Sequence, residues 1–243
     1  MDDITFNYRV FFEKLTRKIS VYAAQIIMVL REDNEFLLQW VTANTAAGLG
    51  IFVGISLYSL TFNTSHPLLF LLGILVSGVL GVVAQAALFG VMQWLVLKQR
   101  IKQISGIVWT LGTTLTLPLS FYLAFLSTNL IFKGILDLKT TQLYSFEYYL
   151  IYLITVGALL GTVQWRILRA YIYQAHWWIL ASIIGVSIGA GSTILIYNAY
   201  IFVSFPQVEN ILFWGTLGGI VGGALFGIAT CIPLSWLLRR QIT

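Results

Sequence analysis

Long stretches without charge constrain this chain more than any other feature of its sequence. Between Phe36 and Asp137 only four residues are charged, namely Lys98, Arg100, Lys102 and Lys133. A helix needs about 20 apolar residues to cross a bilayer core about 30 Å thick. Six stretches meet this requirement, and we predict a transmembrane helix in each of them. They run approximately over residues 40–60, 68–97, 107–131, 148–168, 177–202 and 211–238.

The composition favours an all-α integral membrane protein. Hydrophobic residues make up 58% of the 243, and charged residues make up only 9%, whereas a soluble domain usually carries about 25% charged residues. A disordered chain, a disulfide scaffold and an ordinary cytosolic enzyme are therefore excluded. The single cysteine, Cys231, cannot form an internal disulfide. The N-terminus lacks the residue order of a signal peptide, so we expect it to be retained.

The basic residues predict how the chain is inserted. With six crossings, twelve of the fourteen Lys and Arg residues fall on one side of the membrane, and only Lys133 and Lys139 fall on the other. Loops rich in Lys and Arg stay on the cytoplasmic side, so we expect both termini to be cytoplasmic. The formal net charge of +5 does not indicate a nucleic-acid partner, because the basic residues flank apolar spans instead of forming one continuous face.

Tryptophan marks an internal repeat. Trp40, Trp109 and Trp178 follow one another at intervals of 69 residues, and each opens an odd-numbered span. The even-numbered spans carry a second motif: Ala-Leu-Phe-Gly occurs at 87–90 and at 224–227, with Ala-Leu-Leu-Gly at 158–161. Two copies continue into Gln-Trp, at 93–94 and 164–165, whereas the third reads Thr-Cys at 230–231.

The repeating unit is therefore a two-helix hairpin used three times. Each hairpin begins and ends on the predicted cytoplasmic side, so the three units are inserted with the same orientation. Parallel repeats of this kind are related by an axis along the membrane normal. We predict a six-helix bundle with pseudo-threefold symmetry, divided into an N-terminal segment, residues 1–36, and hairpins at 37–103, 104–172 and 173–243.

Polar side chains recur at one depth of the predicted bundle. Each odd-numbered span has a small polar residue four positions after its Trp, and two even-numbered spans have a Gln before their basic end. These residues are Asn44, Gln93, Thr113, Gln164 and Ser182. An amide within the membrane needs hydrogen-bond partners. The set forms either a clasp between helices or a polar ring around a cytoplasmic vestibule.

The tryptophans have a simpler interpretation. Trp side chains are enriched at the membrane interface, and Lys or Arg extends to the surface just beyond them. We expect five residues to act as such interface anchors: Trp40, Trp94, Trp109, Trp165 and Trp178.

The sixth span carries a regular stripe of glycine. Gly215, Gly219, Gly223 and Gly227 occur at every fourth position, which places them on one helix face. Small residues on one face let two helix backbones approach closely. The stripe predicts either close packing inside the bundle or a dimerisation face.

The remaining features argue against chemistry inside the membrane. The sequence has no Walker loop, no HExxH and no Cys/His cluster, and the spans contain essentially no ionisable residues. We therefore expect no cofactor, no metal, and neither a proton-coupled pump nor an ion-driven transporter. Residues 1–36 combine apolar residues at three- and four-residue spacing with Lys and Arg, which predicts an amphipathic helix on the cytoplasmic leaflet.

The repeated segments also resemble a known type of sequence. Trp-x-x-Ala/Gly followed by Asn, Thr or Ser, together with ALxGxxQWxxLK/R, is similar to a family of uncharacterised bacterial polytopic membrane proteins with repeated QW hairpins, found in photosynthetic bacteria among others. The resemblance covers residues 37 to about 240. It implies an integral membrane protein with repeated hairpins, and it implies no activity. We expect the membrane to be a bacterial inner membrane, either plasma or photosynthetic.

Two functions lead among those that the sequence leaves open, ahead of an intramembrane enzyme acting on lipid, for which the sequence shows no nucleophile–base pair. The first is a non-enzymatic packing or accessory subunit of a membrane assembly, with the bilayer and a homo- or hetero-oligomeric partner as its contacts. The second is a passive channel or carrier for a small neutral solute or a lipid, with the pseudo-threefold axis passing through the polar ring.

Overall fold

The computed structural model describes residues 34–50, 67–135, 146–203 and 208–239, which form six α-helices and contain no strand. The helices are α1 (Asn34–Gly48), α2 (Pro67–Arg100), α3 (Gly106–Asn129), α4 (Phe146–Leu168), α5 (Trp177–Val203) and α6 (Val208–Arg239). A π-helical segment, Leu130–Ile135, continues α3. The prediction of an all-helical fold is confirmed.

Five of these helices, α2 to α6, are long and apolar enough to cross a membrane. They contain 23 to 34 residues, which corresponds to about 35 to 51 Å at a rise of 1.5 Å per residue. The described part of the chain thus has the helices of an integral membrane protein. Helix α1 is described over 15 residues, and the remainder of the first predicted span lies outside the described residues, as does nearly all of the predicted amphipathic segment.

The helix ends follow from local chemistry. Ser105 precedes α3, and its side chain accepts a hydrogen bond from the backbone N–H of Val108 at 3.4 Å. This bond satisfies one of the donors that a helix start leaves without a partner. At the other end of the same loop, Lys98 and Arg100 lie in the last turn of α2, where positive charge is favourable beside the helix C-terminus.

The six helices are arranged as a closed ring. Each helix packs on the helix before it and the helix after it in the chain, and α6 packs on α1. Each odd-numbered helix therefore contacts its own hairpin partner on one side and the last helix of another hairpin on the other. This topology gives all six helices an inner face.

Each helix buries only a narrow stripe of residues, on the face that points into the ring. The buried residues of α3 recur at intervals of three and four, as expected for one helix face: Trp109, Thr113, Leu117, Ser120, Ala124 and Thr128. Its opposite face exposes large apolar side chains, and Leu115 on it is 69% exposed. Exposed apolar side chains all along a helix are typical of a surface in contact with lipid tails.

Two apolar clusters line the inside of the ring. One lies at the end where the Lys- and Arg-rich loops are found, and it includes the three repeated tryptophans and apolar loop residues such as Ile101 and Ile172. The other lies deeper in the bundle and includes Leu117, Val156 and Phe226. A layer of polar side chains separates the two clusters along the helices.

A buried polar layer and an apolar cavity form the candidate site

Three tryptophans close one end of the ring. Trp40, Trp109 and Trp178, on α1, α3 and α5, are each 0% exposed. Trp40 and Trp178 meet edge to face, with ring centroids 5.9 Å apart, a favoured geometry for aromatic pairs. These three residues were predicted to be interface anchors, and the structure places each on the inward stripe of its helix, where its indole packs against protein.

The other two tryptophans lie nearer the surface. Trp94 and Trp165 are partly buried, and each has a cation over its ring: the Lys98 Nζ at 5.0 Å and the Arg169 guanidinium at 5.6 Å. The Nε1 of Trp94 also donates to the backbone carbonyl of Ile104. A Trp beside a basic residue at a helix end is the arrangement expected of an interface anchor.

A directed chain of hydrogen bonds runs beneath the tryptophans. The Nε1 of Trp178 donates to the Gln164 side-chain oxygen at 2.9 Å, and the Gln164 amide donates to the Gln93 oxygen at 3.1 Å. The Gln93 amide donates in turn to the Asn44 oxygen at 3.0 Å, and the Asn44 amide donates to the carbonyl of Trp40 at 2.8 Å. The chain links helices α5, α4, α2 and α1.

The members of this chain are sealed from solvent. Asn44, Gln93 and Gln164 are all 0% exposed. Gln164 also donates to the Thr113 hydroxyl at 3.3 Å, which brings α3 into the network. Hydrogen bonds in such a dry, uncharged environment are electrostatically stronger than in water, and bonds in a chain polarise one another. The structure thus joins four of the five residues predicted to meet at this depth.

Ser182, the fifth predicted residue, lies inside the ring but is not hydrogen-bonded to the other four. It is 0% exposed, and its hydroxyl has no hydrogen-bond partner within the described residues. The Nε1 of Trp109 is likewise buried without a partner there. Both groups lie on the inward stripes that carry the network.

Sequence reasoning missed Thr230. Its hydroxyl accepts a hydrogen bond from the Nε1 of Trp40 at 2.9 Å and donates to the carbonyl of Phe226 on its own helix at 2.8 Å. Its position in the repeat indicates its place in the polar layer. Thr230 follows the glycine of its tetrapeptide by three residues, as Gln93 and Gln164 follow theirs. The change from Gln to Thr concealed the equivalence.

The glycine that ends each tetrapeptide permits the helices to approach. It lies against the residue directly after the Trp of a neighbouring odd-numbered helix, and a Cβ added to it would be within 3.0 Å of that residue's Cα. The three pairs are Gly90–Thr110, Gly161–Ile179 and Gly227–Val41. Any side chain at these glycines would therefore push the two backbones apart.

The glycine stripe of α6 is used inside the ring. Gly219, Gly223 and Gly227 pack against α1, and Gly48 of α1 faces Gly219 backbone to backbone. Gly215, the fourth residue of the stripe, is also buried. Of the two interpretations of the stripe, these contacts are those of internal packing, and they close the ring between its first and last helices.

An apolar cavity lies beyond the polar layer. It has a volume of about 330 Å³, and all six helices contribute to its lining. On α1 the order along the chain is Trp40, Asn44 and then Ala47, so the tryptophan cluster, the polar layer and the cavity follow one another along the ring. On α4 the lining runs from Leu160 to Tyr152, a length of about 12 Å at 1.5 Å per residue.

Metal-ligating and charged side chains are sparse inside the ring in the described part of the chain. Among the residues described, no group of three or more His, Cys, Asp or Glu side chains lies close enough to hold a metal ion. None of the described residues that line the cavity is charged. What the arrangement can do is exclude water, hold helices in register and surround an uncharged molecule.

Comparison with known proteins gives no relative. No family model matches the chain, and neither the curated proteins nor the solved structures contain a match to it.

Proposed function

We propose that three fused helical hairpins, inserted with the same orientation, form a pseudo-threefold ring in a bacterial inner membrane, either plasma or photosynthetic. The repeated helix contacts at Gly90, Gly161 and Gly227 support this symmetry, because each glycine meets its neighbouring helix at the same register. The Nε1 atoms of Trp40 and Trp178 also support it, since each donates to the side chain three residues after such a glycine.

The distribution of charge supports the orientation. Twelve of the fourteen Lys and Arg residues belong to the side that carries both termini. The lumen of the ring at this end is filled by buried tryptophan, and basic side chains such as Lys98 and Arg169 lie over the outer Trp rings. A cytoplasmic location of both termini is the arrangement that this bias favours.

Within this framework the protein acts as a non-enzymatic packing or accessory subunit of a membrane assembly. The single observation that carries the proposal is the sealed end of the ring, where Trp40, Trp109 and Trp178 are 0% exposed above a polar layer that is equally buried. A continuous pore along the axis is incompatible with this packing. A rigid, closed body with apolar outer faces is suited to contacts with other helices.

The partner contact is expected to use large side chains. The glycines of α6 already pack within the ring, against α1 and α5. We expect the partner to contact the outer face of α3 instead of these glycines, because this face presents an uninterrupted ridge of large exposed apolar residues. These are Val108, Leu111, Leu115, Leu119, Tyr122 and Leu126.

The mass of the protein in native membrane patches tests this proposal. Patches cut from the membrane with a styrene–maleic acid copolymer, without detergent, are analysed by native mass spectrometry. The proposal predicts particles in which the 27.2 kDa chain is associated with a second copy or with another protein. Introducing Leu115→Trp should reduce that association, whereas Ile184→Trp, an exposed apolar position on α5, serves as the matched control. A chain that is always monomeric in the patches contradicts the proposal.

A passive carrier for a small neutral solute or a lipid is the second candidate. The observation that favours it is the apolar cavity of about 330 Å³ within the ring. Transport requires the tryptophan cluster to open, so substituting Trp109 by Ala should accelerate flux if this pathway exists. Uptake of a panel of neutral solutes into proteoliposomes measures it. Flux that equals that of protein-free vesicles for both proteins removes this candidate.

A further inference from the structure

The walls of the cavity are unequal. Helices α1, α5 and α6 present small residues to it, among them Gly48, Gly189 and Gly222, whereas α3 and α4 present the rings of Phe121 and Tyr152. These two rings stack with their planes only 13° apart. A Cβ added to any of these glycines would meet the backbone of a neighbouring helix, so their absence of a side chain lets α1, α5 and α6 approach one another. The aromatic wall lies across the ring from this glycine-rich part of the lining, which also contains the larger side chains of Val186 and Phe226.

Side chains able to form hydrogen bonds interrupt this apolar lining. Gln85 faces the cavity and makes no hydrogen bond with the described residues. Asn44, at the end next to the polar layer, uses one amide proton toward Trp40 and accepts one bond from Gln93. An amide group offers two protons and an oxygen with two lone pairs. Each of these two side chains thus retains capacity to donate and to accept. Asn44 is buried and Gln85 is partly buried, and an amide removed from water gains stability when that capacity is used.

Size and charge restrict what fits. The volume of about 330 Å³ lies at the lower end of the range of small-molecule sites. An engineered cavity of about 150 Å³ holds one benzene molecule, so this one accommodates roughly a dozen non-hydrogen atoms. A slender shape follows from the length of about 12 Å along α4. The absence of charge among the described lining residues favours a neutral occupant, because an ion would be desolvated without a partner.

We propose that the cavity binds one neutral amphiphile, a slender hydrocarbon group that ends in a hydroxyl or carbonyl, with the amide of Gln85 as the partner of its polar end. The hydrocarbon part lies between the glycine wall and the rings of Phe121 and Tyr152. Such an occupant restores the dispersion contacts that walls facing a void would forfeit. Gln85 suits the polar end better than Asn44, because Asn44 is already engaged in the polar layer. This binding site goes beyond the proposed accessory function and does not depend on it.

The probe is 1-decanol, which has about the predicted size. The purified full-length protein in liposomes is labelled with a decanol derivative that carries a photoreactive diazirine, and adducts are mapped by mass spectrometry. The measured quantity is the labelling of cavity-lining peptides that excess unlabelled 1-decanol removes. We expect saturable labelling on these peptides, and we expect decane to compete about threefold to tenfold less well than decanol, the loss of one hydrogen bond.

Matched variants separate the cavity from the lipid-facing surface. Ala190→Phe fills the cavity and should reduce the saturable labelling at least tenfold, whereas Ala84→Phe, on the exposed face of α2 beside Gln85, should leave it unchanged. Gln85→Leu should abolish the preference for decanol over decane. Thermal unfolding of each variant confirms that it is folded, and Ala190→Leu replaces Ala190→Phe if the larger residue prevents folding.

The outcomes either support or overturn the inference. Labelling that does not saturate, or that responds equally to Ala190→Phe and Ala84→Phe, overturns the binding site. A preference for decanol that survives Gln85→Leu overturns the assignment of the polar end to that amide. Because these readouts do not involve the mass of the assembly, they remain informative if the protein proves to be monomeric.

Discussion

Replacing Gln164 by Leu tests whether the polar layer holds the ring together. This side chain makes three hydrogen bonds to three other helices: it donates to Gln93 and Thr113 and accepts from Trp178. Hydrogen bonds between transmembrane helices contribute about 0.6 kcal/mol on average, so the three together contribute about 2 kcal/mol. The Gln93 oxygen and the Trp178 N–H would also lose a partner while buried, which adds about 1 kcal/mol or more for each.

We therefore expect Gln164→Leu to lower the free energy of unfolding by about 2–4 kcal/mol. Unfolding is measured in bicelles by steric trapping or by titration with a denaturing detergent. Thr162→Val is the matched control, because the Thr162 hydroxyl is exposed and bonds only to the Ala158 carbonyl of its own helix. Replacing both Gln93 and Gln164 by Leu should lower the free energy of unfolding by less than the sum of the two single replacements, since the two side chains share a hydrogen bond.

Two outcomes of this experiment would contradict a clasp formed by these side chains. If Gln164→Leu were as mild as Thr162→Val, the hydrogen bonds would not stabilise the packing of the helices. If the double variant of Gln93 and Gln164 kept its stability but lost a solute flux shown by the native protein, the set would be the polar ring of a vestibule and not a clasp.

Two further comparisons use pairs that the chain itself offers. Gly161→Ala should destabilise the protein by about 1–3 kcal/mol through overpacking, because a Cβ there would lie 2.8 Å from the Ser182 Cβ. Gly191→Ala should be tolerated, because the nearest atom to its added Cβ would be 3.7 Å away. Equal unfolding free energies for the two variants would contradict the close contact at Gly161. Trp178→Phe should lower the free energy of unfolding by about 1 kcal/mol more than Trp109→Phe. Of these two tryptophans, only Trp178 has a hydrogen-bond partner for its Nε1 among the described residues. The same unfolding assay measures the difference.

The sequence predicted the helices well because apolar length and charge determine them. The predicted spans 107–131, 148–168 and 177–202 fall on α3, α4 and α5 with ends that differ by a few residues. The depth of the polar residues was also readable, since position along a helix fixes depth. Four residues predicted at one depth are hydrogen-bonded together.

What the sequence could not provide is the direction in which each residue faces. Helix α5 is apolar nearly throughout, and its main guide to orientation is Ser182, which lies four residues after Trp178 and so on the same face. Trp178 was assigned to the membrane interface from its residue type, although it lies inside the ring at 0% exposure. The cavity was not predicted, since it depends on how six inner faces meet. Thr230 was missed because its hydroxyl replaces the Gln of the other two copies.

Labelling from one side of the membrane tests whether the hairpins are inserted with the same orientation. Gln103 and Tyr173 are exposed in the loops after α2 and α4, and each is replaced by Cys after Cys231, which is buried, has been changed to Ala. A membrane-impermeant maleimide is then applied to sealed vesicles of each orientation. We expect residues 103 and 173 to react from the same side, the cytoplasmic one. Reaction from opposite sides would contradict the parallel hairpins and the ring built from them.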